Sequence, residues 1–341
     1  LKIPLSQLRF GDAQEQIWGL NVARNLFREN ELSAWDRIPV GSAGWVSEAG
    51  VLRGIKNIKP QKQLEVQPFT VAQLQTYEAE QGNPYEDGRD YRINGGLDAK
   101  IGVTNDLTLD VTVNPDFGQV EADPAAIALD GFEVFNREQR PFFVENKNIF
   151  DYRFAGNRDN LFFSRRIGRS PQVYPSTPSG AYTDRPQNTT ILGAAKFSGK
   201  TKNGWSIGVL ESMTSKEYVE INSNGTISEA EAEPFTNYFV GRVQKDMNER
   251  NTFLGGIFTA TNRSISEATS GLRKSAYSGG VDFKHQWKNR AYYVQTNFVM
   301  SHVNGSPEAI QSTQENLTHL FNRVDASHLE VDPNRTSLTG T

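Results

Sequence analysis

The sequence has no cysteine at all, and it contains no long hydrophobic run. The first absence excludes a disulfide framework, thiolate metal sites and cysteine nucleophiles. The second excludes a membrane-spanning helix, which needs roughly 18 consecutive apolar residues. It does not exclude a transmembrane β-barrel, because the strands of a barrel alternate between apolar and polar residues and average out in a hydropathy window.

An excess of basic charge is also lacking, since 36 lysines and arginines stand against 40 acidic residues and give a net charge of −4. Such a surface does not suit a nucleic-acid partner. The sequence has no nucleophile elbow, P-loop or dinucleotide fingerprint, so we expect no cofactor. The four histidines lack the i, i+4 spacing of a zinc-binding helix, and we expect no metal.

Aromatic residues are plentiful instead: 20 Phe, 11 Tyr and 5 Trp are too many for a disordered chain. Residues 1–5 read as the middle of a strand, and residues 333–341 read as a loop that enters another strand. From these two ends we expect a fragment of a longer protein.

Residues 1–60 carry short apolar runs, at 1–5, 17–27, 34–38 and 51–58, which are separated by turn residues. Short strands at this spacing predict the end of a β-sandwich domain. This segment contains three tryptophans, Trp18, Trp35 and Trp45. Core packing is the favoured interpretation of a tryptophan on a strand, and stacking on a ligand is the alternative, for which Trp18 and Trp35 are the candidates.

From residue 61 onward the predicted strands are longer and alternate cleanly. In residues 277–287 one face carries Tyr277, Val281 and Trp287, with polar residues between them. Aromatic residues at both ends of an apolar row are typical of the interface girdles of a membrane barrel. A water-soluble sandwich alternates too, but its strands are usually shorter, so the strand length favours a barrel. Nine such strands are predicted, at residues 62–75, 90–103, 107–114, 189–199, 204–215, 237–247, 251–262, 277–287 and 291–303.

The predicted connections alternate between short and long, which is typical of outer-membrane barrels with short periplasmic turns and longer extracellular loops. This alternation places the segment before the first strand, residues 1–60, in the periplasm. It also requires residues 115–188 to contribute an even number of spanning strands, zero included. We expect much of that segment to fold into or over the barrel lumen as a plug or gate.

Residues 115–169 hold nine acidic and eight basic residues together with many phenylalanines, which suits a segment that pairs its charges in a polar lumen. A helix is predicted to start at Asp123-Pro124 and to stop at Arg140-Pro141. The predicted lumen network is Asp116, Glu121, Asp123, Arg137, Glu138, Arg140 and Glu145. An oxygen-ligand cation site at the first three of these is the less favoured reading.

Three arginines follow closely: Arg165, Arg166 and Arg169. On a strand, the first and last would share one face. They are candidate contacts for an anion or a glycan, but pairing with nearby carboxylates is the favoured interpretation. Glu133, Glu138 and Glu145 are the carboxylates from which a glycosidase pair could be drawn.

The runs GGLDAKIGVTNDLTLDVTVNPDFGQVEADPA, FEVFNREQRPFFVE and LFFSRRIGR resemble domain-of-unknown-function family 5916. These are outer-membrane proteins of Gram-negative bacteria that carry a preceding domain like carbohydrate-binding module family 9. The runs LKIPLSQLRF and VLRGIKNIKP resemble the last strands of that module. One departure is Asn136–Gln139, where a Phe/Pro-Glu-Lys-like turn is expected. The family carries no established activity, so the resemblance implies location and architecture rather than chemistry.

The sequence therefore predicts an all-β chain: an antiparallel transmembrane β-barrel, incomplete here, preceded by the C-terminal strands of a β-sandwich. The expected place is the bacterial outer membrane, with lipid and lipopolysaccharide as partners, and carbohydrate and other outer-membrane proteins as further candidates. The expected role is transport or envelope assembly. Two alternatives stay open, an envelope carbohydrate-active hydrolase and a structural subunit of a larger transport or secretion complex.

Overall fold

A computed structural model describes residues 2–5, 8, 10–38, 46–59, 63–115, 136–154, 159–325 and 328–341. The described part of the chain is all-β, with 51% of its residues in strands and few helices. It divides into two units, one of Leu1–Gln63 with Thr104–Asp106, the other of Leu64–Val103 with Leu107–Thr341.

The first unit holds two antiparallel strand pairs, β1 with β4 and β2 with β3. The second pair is a hairpin whose turn closes at Asn30, where φ is +51°. Asparagine tolerates this left-handed conformation better than most residues. Residues 2–5 form no strand, so that prediction is wrong. The strand bounds are β1 Glu15–Leu20, β2 Ala23–Leu26, β3 Glu31–Ala34 and β4 Gly50–Lys56.

The second unit is built on a ten-stranded antiparallel sheet in which neighbours along the chain are neighbours in the sheet. All nine predicted long strands are present, with ends shifted by four residues at most. The sheet strands are β5 Leu64–Thr76, β6 Arg89–Gly102, β7 Leu107–Val113, β11 Ile191–Lys200, β12 Trp205–Thr214, β15 Thr236–Met247, β16 Thr252–Arg263, β17 Arg273–Trp287, β18 Tyr292–Gly305 and β19 Ser337–Gly340.

Short and long connections alternate along this sheet. The turns at residues 103–106, 201–204, 248–251 and 288–291 each take four residues, and all lie at one end of the sheet. At the other end, the connection between β12 and β15 contains a hairpin, β13 Glu217–Ser223 and β14 Thr226–Glu233. A third short strand, β10 Tyr182–Asp184, pairs with this hairpin.

Strands β7 and β11 pair directly, so in the described part of the chain the segment between them adds no strand to the large sheet. This segment, residues 136–188, is called the connecting segment below. It contains the helical turns α1 Pro141–Val144 and α2 Lys147–Phe150 and the short strands β8 Arg153–Phe154 and β9 Asp159–Asn160. A longer helix, α3 Pro307–Glu315, follows β18.

Two local predictions in the connecting segment are wrong. Pro141 begins a helical turn instead of ending a helix, because its missing N–H costs nothing at the first helical position. Residues Ser164–Arg166 form a 3-10 turn, so Arg165 and Arg169 do not share the face of a strand. The predicted helix start at Asp123-Pro124 lies outside the described residues.

The two faces of the large sheet differ sharply. The polar face includes Lys196 and Arg242, which are only 1% and 3% exposed. The apolar face includes Phe258, Val281 and Phe298, which are 48%, 53% and 57% exposed. One face of the sheet therefore covers its charged residues, and the other face leaves a row of large apolar residues open, which is unusual in water-soluble proteins. Among the described residues, no helix has the length and apolar character needed to cross a membrane.

Candidate functional site

The connecting segment packs on the polar face through a shared apolar core. Phe143 and Phe150 of the segment are 5% and 3% exposed, and they belong to one buried apolar cluster with residues of strands β11, β12, β15 and β16. The other buried members of this cluster are Tyr152, Ile167, Ile191, Leu210, Tyr238, Val240 and Ile257.

Two strand glycines create the space that this packing needs. A Cβ on Gly208 of β12 would lie 2.8 Å from the Phe150 ring. A Cβ on Gly280 of β17 would lie 2.6 Å from the Tyr152 ring. The Tyr152 hydroxyl is within hydrogen-bonding distance of the carbonyl oxygens of Val281, at 2.8 Å, and Phe298, at 3.1 Å. The aromatic rings thus reach the sheet backbone itself.

Two lysines of the polar face anchor the beginning of the connecting segment. Lys196 of β11 donates to the carbonyl oxygens of Phe142 and Glu145, the latter at 2.9 Å, and lies 3.6 Å from Asp110. Lys100 of β6 pairs with the Glu145 carboxylate and lies 3.9 Å from Asp110. Two lysines are balanced here by two carboxylates, as buried charges require.

Within the connecting segment, Glu138 and Arg140 form a buried clamp. The Arg140 guanidinium donates to both Glu138 oxygens, at 2.8 and 2.7 Å, and to the carbonyl oxygens of Ser164 and Ile167, both at 2.8 Å. The Ser164 hydroxyl donates to Glu138 at 2.5 Å. Burial by itself would raise the pKa of Glu138, but the hydrogen bonds and charge of Arg140, with help from Ser164, hold that pKa below its ordinary value.

The remaining residues of the predicted network are only partly described. Arg165 donates to the carbonyl oxygen of Arg137 at 2.9 Å. Asp116, Glu121 and Asp123 lie outside the described residues. Glu138 and Glu145 occupy two different clusters, so the structure does not bring the predicted set together at one point. In the described ranges, no group of three or more histidine, aspartate or glutamate residues is arranged to hold a metal ion.

Comparison with protein families decides the relationship of this chain. A family model described as a domain of unknown function, DUF5916, matches residues 60–327. The chain belongs to the DUF5916 family. Comparisons with curated proteins and with solved structures find no match.

The matched DUF5916 region contains every contact of the polar face given above, from Lys100 to Phe298. It also contains site residues that sequence reasoning missed: Lys196, Tyr152, Arg242 and Asp282. Arg242 of β15 and Asp282 of β17 pair at 2.5 Å across the intervening strand, over Gly255. The sequence contains a signal for Lys196, Arg242 and Asp282, because each of these charged residues alternates with outward apolar residues on a predicted strand.

The two tryptophans lie in the first unit, before the DUF5916 region. Trp18 is partly buried, with its ring 5.6 Å from that of Phe10. Trp35 is 61% exposed and lies over Gly50, where a Cβ would meet the indole at 2.8 Å. Its ring borders an open hollow of about 490 Å³, lined by Leu20, Val22, Arg24, Ser33, Ala34 and Trp35.

Docking of the DUF5916 connecting segment can be tested at two adjacent glycines. Gly280→Ala is expected to displace the Tyr152 ring and to destabilise the docked segment by about 1–3 kcal/mol, because a well-packed contact does not accept an added methyl group. Limited proteolysis of residues 136–188 measures the effect. Gly279→Ala is the matched control, because its Cβ would meet nothing closer than 3.7 Å. Equal protease sensitivity of both variants would show that Tyr152 does not hold the segment.

Proposed function

We propose that this chain forms part of an outer-membrane β-barrel whose polar face lines a lumen, with the connecting segment as its plug or gate. The observation that carries the proposal is the contrast between one face that covers buried charges and one face that exposes a row of large apolar residues. A soluble protein rarely exposes an apolar patch larger than a few hundred Å². A sheet whose apolar side faces lipid and whose polar side faces a wet interior has this distribution by necessity.

Aromatic residues at the tight-turn end support the same proposal. Trp205, Trp287 and Tyr292 lie on the apolar face beside the turns, and the rings of the last two stack with centroids 6.1 Å apart. The ammonium of Lys245 lies 4.9 Å from the Trp205 ring centroid. Aromatic rings and long basic side chains favour the boundary between lipid and water.

The four tight turns indicate the orientation of the proposed barrel in the membrane. In outer-membrane barrels the short turns face the periplasm and the long loops face outward. We therefore assign residues 1–60 and the tight turns to the periplasm, and the hairpin of β13 and β14 to the cell exterior. Outer-membrane lipid and lipopolysaccharide are the corresponding partners.

A role in transport or envelope assembly follows from the way in which the connecting segment is held. Some of its contacts with the sheet are ion pairs and hydrogen bonds, which water in a lumen could replace one by one, and the others belong to the apolar cluster around Phe143 and Phe150. Such a segment can move as a gate or remain as a fixed plug. A structural subunit of a larger outer-membrane complex is a second proposed role, for which other outer-membrane proteins would be the partners.

The hydrolase alternative remains a prediction, and the described carboxylates offer it little support. A glycosidase acid needs a raised pKa, whereas the pKa of Glu138 is lowered. Glu145 pairs with Lys100. Turnover of an envelope oligosaccharide that is lost in Glu145→Gln would establish the activity.

The barrel proposal is tested by the extraction behaviour of the protein. We expect the full chain to require detergent and to migrate differently before and after heating in denaturing gels, as folded outer-membrane barrels do. A monodisperse protein in detergent-free buffer would contradict the proposal.

We also propose that the first unit binds glycans, as part of a domain like carbohydrate-binding module family 9. The exposed Trp35 ring beside an apolar hollow supports this proposal, because sugars stack on exposed aromatic faces. Trp35→Ala is expected to weaken binding on a glycan array roughly tenfold. Phe27→Ala is the control, since Phe27 is 90% exposed but does not line the hollow. Equal binding by both variants would refute a role for Trp35.

A further inference from the structure

Three arginines from three separate elements interact electrostatically at the long-loop end of the large sheet, where the charge of Arg263 acts on both Arg169 and Arg273. Arg263 is the last residue of β16, and its guanidinium donates to the carbonyl oxygen of Arg273, the first residue of β17, at 2.9 Å. Arg169 comes from the connecting segment, where its carbonyl oxygen accepts from the N–H and the hydroxyl of Thr189 at 3.0 and 2.7 Å. We call Arg169, Arg263 and Arg273 the arginine cluster.

Among the residues that the structure describes, no carboxylate forms an ion pair with the arginine cluster. Glu233 is the acidic residue that acts on Arg169, and its two oxygens accept from the N–H and the side-chain amide of Gln172, both at 2.8 Å. Burial lowers the pKa of Arg169, and the charges of Arg263 and Arg166 lower it further, against Tyr238 and Glu233, which raise it. The arginine cluster thus brings positive charges together in a partly buried region.

Hydrogen-bond donors also remain unused in the arginine cluster. The Nε atoms of Arg169 and Arg263 are buried, and neither has a hydrogen-bond partner in the described part of the chain. More than nine in ten buried polar groups in proteins find a partner, so two neighbouring exceptions need an explanation. Arg273 has its Nε bound to Thr313 at 2.8 Å, which fixes the position of its guanidinium.

We propose that the arginine cluster, together with the nearby Tyr238, binds a phosphate group of a phosphorylated ligand. Arginine presents a planar fork of donors that matches phosphate oxygens, and a phosphate monoester carries close to two negative charges at pH 7. Its oxygens point in several directions, which suits guanidinium groups that arrive from three elements. The flat, singly charged carboxylate meets fewer of these donors. The site stands on contacts within the second unit and does not depend on where that unit resides in the cell.

Phosphate titration of the full chain, at constant ionic strength maintained with chloride, tests the site. We expect inorganic phosphate to bind in calorimetry and to raise the thermal midpoint, because a ligand that binds only the folded state stabilises it. Arg263→Gln and Arg169→Gln are each expected to lower the affinity for phosphate about tenfold or more. Without phosphate the midpoint of Arg169→Gln should equal or exceed that of the unaltered chain, since the substitution removes like-charge repulsion, whereas Arg263→Gln also loses the hydrogen bond to the Arg273 carbonyl oxygen. Arg250→Gln is the control, because Arg250 is an exposed arginine in a tight turn outside the arginine cluster.

The ligand source is distinguished by two further titrations, with a hexose phosphate in solution and with phosphatidate in mixed micelles. Whichever of the two binds more tightly than inorganic phosphate identifies the source, and its affinity should fall in the two cluster variants. The proposal would be overturned if phosphate did not bind, if acetate bound as tightly as phosphate, or if Arg250→Gln reduced binding as much as the cluster variants.

Discussion

Replacement of Arg140 with methionine is expected to lower the free energy of unfolding by about 3–5 kcal/mol, because it leaves the Glu138 carboxylate buried without its cation. The same change removes the donors to the carbonyl oxygens of Ser164 and Ile167, which join two distant stretches of the connecting segment. Chemical denaturation measures the loss, and hydrogen exchange of residues 136–188 locates it.

The control for this prediction removes the charge on the other side. Glu138→Gln keeps the shape and one acceptor, so its cost should be smaller than that of Arg140→Met. The two variants also differ in their pH dependence. Because the folded pKa of Glu138 is lowered, the clamp contributes fully above the unfolded value of about 4.3 and is lost as the pH falls through the folded pKa. If both variants lost the same free energy of unfolding at pH 7, the clamp would be contradicted. It would also be contradicted if acid did not lower the free energy of unfolding of the unaltered chain.

Phe258→Arg is expected to destabilise the fold by about 2–4 kcal/mol in a bilayer, because Phe258 lies at the middle of the apolar row of β16. Leu254→Arg, four residues nearer the tight turn on the same face, should cost about 1 kcal/mol or less. The two side chains are 48% and 47% exposed, so they differ in depth and not in accessibility.

Denaturant titrations of both variants in lipid vesicles supply this comparison. In water both substitutions would be nearly neutral, since exposed surface positions tolerate charge. Similar small costs for the two variants in vesicles would therefore contradict the membrane placement. A large cost for Phe258→Arg alone supports it.

The sequence predicted the large sheet well because local information determines it. Alternation of apolar and polar residues marks each strand, and tight turns such as residues 288–291 end it, where three consecutive residues adopt positive φ. The direct pairing of β7 with β11 falls within the predicted even number of intervening strands. Turn spacing and pairing of neighbours thus required no knowledge of distant contacts.

The polar face was much less predictable, because its contacts join residues far apart in the sequence. Lys196 reaches Phe142 and Glu145, and Tyr152 reaches Val281. Composition indicated that the connecting segment would pair its charges, but not which residues would pair. The 3-10 turn at Ser164–Arg166 is held by Arg140, a contact that no local pattern reveals.

The most direct test of the central claim is a cysteine scan along β17, which the absence of native cysteine makes straightforward. Nitroxide labels at Gly279, Val281 and Phe283 are expected to collide with oxygen dissolved in lipid and to be shielded from a water-soluble nickel chelate. Labels at Ser278 and Lys284, on the polar face, should not collide with lipid-dissolved oxygen. Access of the nickel chelate to the Val281 label, without a two-residue period along the strand, would contradict the account.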